Sequence, residues 1–169
     1  MKRLLTLLAA CIAACAATAQ SRIETFTFRS ALLGAEKTCS VYLPAGYDDS
    51  GRSYPVLYLL HGASGYHGDW AEKGNMRQIA DETIAAGTAL PMIVVMPDAS
   101  GTGENYTGDR MGYFDVPGWP YERFFFEEFV PAVERRYRIC GDKARRAISG
   151  LSMGGGGTAV YALRHPELF

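Results

Sequence analysis

The 169-residue sequence has little of what would mark it for a membrane or a polyanion. Its 17 Lys and Arg are offset by 18 Asp and Glu, for a net charge of −1. Such a balance supplies no basic field for nucleic acid and no polybasic patch for an anionic surface. The longest apolar run, Leu4 to Ala17, falls short of the ~20 residues that a membrane helix needs, so no transmembrane span is expected. Cysteine is scarce: Cys11 and Cys15 lie inside that run, leaving Cys39 and Cys140. No Gly-Lys-Ser or Gly-Lys-Thr follows a glycine-rich stretch, which excludes a P-loop for nucleotide phosphates. No repeat, low-complexity tract or linker divides the remainder, so a single domain is expected. A content of 48% hydrophobic and 21% charged residues is that of an ordinary globular chain.

The N-terminus carries an address. Met1-Lys-Arg3 is basic, the apolar run follows, and Ala17-Thr18-Ala19 has the small-residue signature of signal peptidase cleavage. Residues 1–19 therefore read as a signal peptide and residues 20–169 as the domain, exported to the periplasm or outside the cell. Leu8-Ala-Ala-Cys11 and Ile12-Ala-Ala-Cys15 both resemble a lipobox, so a lipoprotein anchored at Cys15 is the alternative. An oxidising compartment permits a disulfide between Cys39 and Cys140, but spacing alone does not establish one. Two buried free thiols are the preferred reading.

Arg22 to Arg29 and Lys37 to Leu43 alternate in polarity, with Gly34 between them, which predicts an antiparallel pair. Pro55 to Leu60 and Met92 to Met96 are nearly continuous apolar runs, the pattern of strands buried on both faces. A helix is expected over Met76 to Ala86, closed by Gly87. Tyr121 to Tyr137 has apolar residues at helical spacing, with Pro131 predicted to kink it. That spacing assigns Phe124-Phe125-Phe126 to core packing rather than to a ligand-stacking box. Between these elements, Ala99 to Trp119 is rich in glycine and aromatics and has no periodicity. A loop that long is more often functional than connective. Ala144 to Leu151 reads as a strand, and Thr158 to Arg164 as a helix that stops before Pro166. Strands alternating with helices after an antiparallel start predict an α/β fold with a mostly parallel sheet.

The sequence is organised around Gly150-Leu151-Ser152-Met153-Gly154, which fits the G-x-S-x-G pattern of a nucleophile elbow between strand and helix. Four successive glycines, Gly154 to Gly157, cost a helix roughly 1 kcal/mol each relative to alanine. Their presence at a helix start indicates that bulk is forbidden there. Ser152 would be the nucleophile, and the backbone N–H of Met153 one donor to the oxyanion that develops on an attacked carbonyl. The second donor in such folds comes from the loop after the third strand. Here that loop is His61-Gly-Ala-Ser-Gly65, whose glycines, Gly62 among them, allow close approach to a ligand.

His61-Gly-Ala-Ser-Gly-Tyr-His-Gly-Asp-Trp70, Phe126-Glu-Glu-Phe-Val-Pro-Ala-Val-Glu-Arg-Arg-Tyr137 and Ala147-Ile-Ser-Gly-Leu-Ser-Met-Gly-Gly155 resemble the "putative esterase" family of α/β-hydrolases. That family takes in feruloyl and acetylxylan esterases, S-formylglutathione hydrolases, siderophore esterases and mycolyltransferases. The resemblance runs from about Thr38 to Phe169. It implies an α/β-hydrolase fold and serine ester hydrolysis of a small-molecule or polysaccharide ester, without metal or organic cofactor. It matches Ser152 to the nucleophile and the N–H groups of Ala63 and Met153 to the oxyanion donors. His61 matches a position that braces its own loop. Asp98, Asn105, Tyr113 and Trp119 fall on or near substrate-facing loops, and structural bracing is the other reading for each.

In this fold the triad runs Ser, then Asp or Glu, then His. After Ser152 the sequence offers only His165 and Glu167, at the far end of the following helix. Thirteen helical residues span about 20 Å, so His165 is out of reach of Ser152. His67 lies in the loop near the expected mouth, but the resemblance gives it no base role. The chain therefore reads as the N-terminal portion of a longer esterase, truncated after the elbow helix and inactive by itself. A non-catalytic hydrolase-like binding protein and an acyltransferase of the same fold are the alternatives.

Overall fold

The computed structural model describes residues 20–101 and 112–169. The signal segment and lipobox cysteines, and Asn105, lie outside the described residues. Strand β1 (Arg22–Arg29) pairs antiparallel with β2 (Glu36–Leu43), from Arg22 opposite Leu43 to Arg29 opposite Glu36. A short helix, α1 (Tyr47–Ser50), leads to β3 (Val56–Leu60). Helices α2 (Asp69–Glu72) and α3 (Met76–Ala85) precede β4 (Ile93–Pro97). A two-residue ribbon of β5 (Asp115–Val116) and β6 (Trp119–Pro120) then enters α4 (Tyr121–Phe124). A π turn over Phe125–Phe129 joins α4 to α5 (Val130–Arg136), and β7 (Arg146–Gly150) and α6 (Met153–Arg164) complete the chain.

The five main strands form one sheet in the order β1-β2-β4-β3-β7. β4, β3 and β7 run parallel, and β2 joins them antiparallel along β4. Alternation along the strands divides the core into two layers. Val56, Tyr58, Leu60, Ile93 and Val95 face Phe124, Phe125, Phe129 and Tyr161 from the helices after β6 and β7. Leu57, Leu59, Val94 and Met96 face the other way, onto Trp70, Met76, Ala80 and Ile84 of α2 and α3. Helices therefore cover both faces of the parallel strands, which is why those strands read as continuous apolar runs.

Two sequence expectations are refined. The kink expected at Pro131 takes the form of the preceding π turn, where Val130 N–H donates to Phe125 O instead of to the carbonyl four residues back. Proline has no N–H, and its ring crowds the carbonyl four positions before it, so widening one turn relieves both problems. The elbow helix begins at Met153 rather than Thr158, and so takes the glycines into its first turns. Of the Phe124–Phe126 run, the first two are 1% and 0% exposed, in the core. Both described cysteines are free; Cys39 is buried and Cys140 half-buried.

Candidate active site

β7 delivers Ser152 at the point where strand becomes helix. Leu151 N–H donates to Leu60 O at 3.2 Å, tying the turn to the end of β3, and Gly154 N–H donates back to Leu151 O at 2.8 Å. The turn forces Ser152 to φ 51° and ψ −112°, a region that residues with a Cβ rarely occupy. Its neighbours explain the glycines. A Cβ at Gly150 would lie 2.5 Å from the backbone of Gly154, and one at Gly154 would lie 2.6 Å from Leu60 O. A Cβ at Gly157 would press on Tyr113 at 3.0 Å, whereas Gly156 has open space. Bulk is thus forbidden at 150 and 154, tight at 157 against the Tyr113 ring, and free at 156.

Ser152 is exposed at the head of α6. Met153 opens that helix, so its N–H belongs to the first-turn donors that have no intrahelical acceptor. The positive end of the helix dipole lies beneath the serine and favours negative charge beside it.

The loop after β3 runs next to the elbow. Gly62 and Leu151 approach so that a Cβ on Gly62 would stand 3.6 Å from Leu151 O. Gly65 N–H donates to Gly62 O at 3.2 Å, closing a turn in which Ala63 is exposed and Ser64 has φ 60°. His61 fixes this loop from below. Its ring is 1% exposed, its Nδ1 lies 2.7 Å from Gly62 O, and its Nε2 lies 2.9 Å from Ala99 N. A carbonyl only accepts and an amide N–H only donates, so the proton sits on Nδ1 and Nε2 is bare. Burial holds the ring's pKa below 6.5, against the opposing pull of Gly62 O and Asp98. The ring is therefore a neutral brace. A cleft of about 180 Å³ opens beside the loop, lined by His61, Gly62, Asp69, Trp70, Lys73, Gly74 and Leu151.

The remaining sequence candidates fall into supporting positions. Asp98 Oδ1 accepts from Ser100 N at 2.8 Å and Ser100 Oγ at 2.5 Å, and its carbonyl accepts from Tyr121 Oη at 2.8 Å. Tyr113 is fully buried and donates its hydroxyl to His61 O at 3.1 Å. Trp119 is 1% exposed, with an indole N–H that meets no acceptor among the described residues. Both therefore lie in the core, Tyr113 against the carbonyl of His61. His67 is half-buried, its Nδ1 2.8 Å from Ser40 Oγ of β2. His165 caps the far end of α6, stacked on Phe126 and facing Glu122 and Glu167. Among the described residues none of the three histidines is hydrogen-bonded to Ser152. Among the described residues no group of His, Cys, Asp or Glu is arranged to hold a metal ion, and no helix is long and apolar enough to cross a membrane.

Sequence reasoning passed over Lys37 and Ser100. Lys37 left a signal, since in β2 it shares the inward face with Cys39, Val41 and Leu43.

The family model described as "Putative esterase" matches residues 30–169. The chain belongs to this family. Among curated relatives of this chain, an endo-1,4-beta-xylanase/feruloyl esterase of Xylanibacter ruminicola is 37% identical over 151 residues, covering 87% of this chain and 20% of the relative. An esterase of Mycobacterium tuberculosis is 31% identical over 144 residues, covering 85% and 30%. Among solved structures, a ferulic acid esterase superposes with a TM-score of 0.83 at 44% identity, covering 89% of this chain and 56% of that one. An S-formylglutathione hydrolase from Agrobacterium tumefaciens gives 0.71 at 27% identity, covering 88% and 55%. The chain thus spans a fifth to a third of these curated relatives and just over half of these solved structures. It has the α/β-hydrolase fold of these enzymes.

Proposed function

We propose that this esterase is exported and cleaves feruloyl or acetyl esters of plant cell-wall carbohydrate through an acyl-enzyme on Ser152. The observation that carries the reading is the backbone of Ser152, held at φ 51° between two glycines that admit no Cβ. Strain of that kind costs about 1–3 kcal/mol and persists where the surroundings overdetermine it, as at a nucleophile that must project from its turn. In this scheme the serine oxygen attacks the acyl carbon, and the carbonyl oxygen swings toward the N–H groups of Ala63 and Met153. Those donors, with the α6 dipole, stabilise the tetrahedral oxyanion. As the oxyanion collapses, the bond from acyl carbon to sugar oxygen breaks and the sugar leaves as an alcohol with the proton the serine gave up; water then cleaves the acyl-enzyme, releasing the acid and returning a proton to Ser152.

A base must take the serine proton, and none of the three histidines of this sequence is hydrogen-bonded to Ser152. The triad base and its carboxylate are accordingly assigned to sequence outside these residues, in keeping with the greater length of the matched relatives. By this reading the isolated chain turns over esters near background. Feruloyl and acetyl esters of sugars are preferred because relatives named feruloyl or ferulic acid esterase are 37% and 44% identical to this chain. Export rests on the sequence of residues 1–19.

The deciding experiment assays the full-length protein against short p-nitrophenyl esters and against feruloylated and acetylated xylo-oligosaccharides. Ser152-dependent release of ferulate or acetate is expected. A folded protein active on none of these would overturn the reading.

A further inference from the structure

Lys37 is a lysine inside a core. Its side chain is 5% exposed, and the residues that share its face of β2 are Cys39, Val41 and Leu43. An ammonium taken out of water is costly unless it is paired, and burial does press the pKa of Lys37 downward. It has three neighbours. Nζ donates to Ser100 O at 2.8 Å, stands 3.8 Å from Asp98 Oδ1, and lies 5.7 Å from the centre of the Trp119 ring. Asp98 in turn holds Ser100 through its N–H and hydroxyl. The group therefore fixes the turn Asp98-Ala99-Ser100 at the end of β4.

That turn is what the oxyanion loop leans on. Ala99 N–H donates to His61 Nε2, and His61 Nδ1–H donates to Gly62 O, one residue before Ala63. The chain of bonds requires a bare Nε2, because a protonated ring would set two N–H groups against each other. Asp98 Oδ1 stands 3.9 Å from that nitrogen, where an unshielded carboxylate would draw a proton onto it. Asp69 of α2 pulls in the same direction, although it is paired with Lys73 at 2.9 Å. Tyr113, whose ring centre is 5.7 Å from the imidazole, is held neutral by burial. Burial is the main cause that keeps the ring neutral, and Lys37 is the cation that adds to it against the two carboxylates.

We propose that Lys37 is a positioning residue for ester hydrolysis: its ammonium offsets Asp98, so that His61 stays neutral and holds Gly62 and Ala63 in register for the oxyanion. The kinetic part rests on the esterase reading given above; the control of His61 does not.

The test uses the full-length protein and its Lys37→Met variant. kcat and KM are measured on a short p-nitrophenyl ester from about pH 5 to 8, the range in which histidine titrates. The ¹⁵N signals of His61 are followed over the same range. In Lys37→Met, His61 is expected to titrate higher than in the parent, and kcat to fall at unchanged KM by a margin that widens toward acid. Adding Asp98→Asn should bring the His61 titration back down and recover most of the lost kcat. A uniform loss at every pH with His61 unmoved would make Lys37 a brace only, and would overturn the proposal. If Lys37→Met does not fold, Lys37→Gln, which keeps a donor for Ser100 O without the charge, takes its place. A His61 ring that titrates higher in that variant than in the parent supports the proposal, and an unmoved ring overturns it. An inactive parent in which Lys37→Met still shifts His61 would sink the esterase reading and uphold Lys37's control of the ring.

Discussion

Gly154 lies so close beneath the end of β3 that a Cβ on it would stand 2.6 Å from the carbonyl oxygen of Leu60. The helix starts where it does because this residue has no side chain. Gly154→Ala gains about 1 kcal/mol of helix propensity, but it drives a methyl into rigid backbone at the end of β3, against the carbonyls of Leu60 and His61. Overpacking of that kind costs about 1–3 kcal/mol, and with no flexible atom to yield, the upper part of that range should win. Gly156, two residues on, has nothing within 4 Å. Gly156→Ala is expected to stabilise the full-length protein by up to about 1 kcal/mol. Urea unfolding of the two variants side by side checks both signs, and a stabilised Gly154→Ala would refute the packing argument.

Ser152 carries strain as well as its proposed role as nucleophile. Ser152→Ala keeps a Cβ at φ 51° and should leave stability nearly unchanged while removing the nucleophile, at a cost of up to about 10⁶-fold in kcat by the subtilisin precedent. Ser152→Gly should be equally inactive yet more stable, because glycine accepts positive φ without penalty and the relief of about 1–3 kcal/mol exceeds its entropic cost. Thermal unfolding with an ester assay distinguishes the two. Equal midpoints for Ala and Gly would mean that the elbow is not strained.

Much of this was legible in the sequence, and the reasons are physical. Strands buried on both faces advertise themselves as apolar runs, so β3 and β4 were readable from Pro55 to Leu60 and Met92 to Met96. The elbow was readable because four glycines in a row oppose helix formation and so require a steric cause. That cause proved local: Gly154 and Gly157 are crowded, Gly156 is not. Less visible was the support beneath the oxyanion loop. Lys37, Asp98 and Ser100 come together from β2 and the end of β4, about sixty residues apart in sequence, by an antiparallel pairing whose register no local pattern states. Periodicity gave the helix over Tyr121 to Tyr137 but not its π turn. That turn depends on where Pro131 meets the preceding carbonyls.

Glu128 shows what the π turn accomplishes. It presents this carboxylate to the turn between β1 and β2, where Oε1 accepts from the N–H groups of Ala31 and Leu32, each at 3.1 Å, and Oε2 from Ser30 Oγ at 2.5 Å. Glu128→Ala would leave these donors without their acceptor and is expected to cost about 1–3 kcal/mol. Glu128→Gln keeps one acceptor oxygen for the two amides and should recover part of that. Amide hydrogen exchange localises the effect, since Ala31 and Leu32 should lose protection well before β3 or β4. Uniform loss across the sheet would assign Glu128 to the core rather than to the turn.

The last expectation concerns alkaline pH. Burial pushes the Cys39 thiol up to about 12 from an ordinary 9.0, and burial likewise raises Tyr58, Tyr113, Tyr121 and Tyr161 above 10.0. For each, the folded state holds its proton more tightly than the unfolded chain does. Their contribution is therefore complete below the unfolded value and is lost as pH rises toward the folded one, by up to about 1.4 kcal/mol per pH unit per group. Stability should be level up to pH 9 and then fall, first through Cys39 and then more steeply once the tyrosines join. In Cys39→Ala the early part of that fall, between 9 and 10, should flatten. The same burial makes Cys39 a poor nucleophile, because the thiolate is the reactive form. In the native protein at about pH 8, iodoacetamide should therefore modify half-buried Cys140, which sits 3.5 Å from the Arg145 guanidinium, and spare Cys39. Mass spectrometry of the labelled peptides reads the outcome. Equal labelling of both cysteines in folded protein would show that β2 opens readily, and would remove the basis for the alkaline profile.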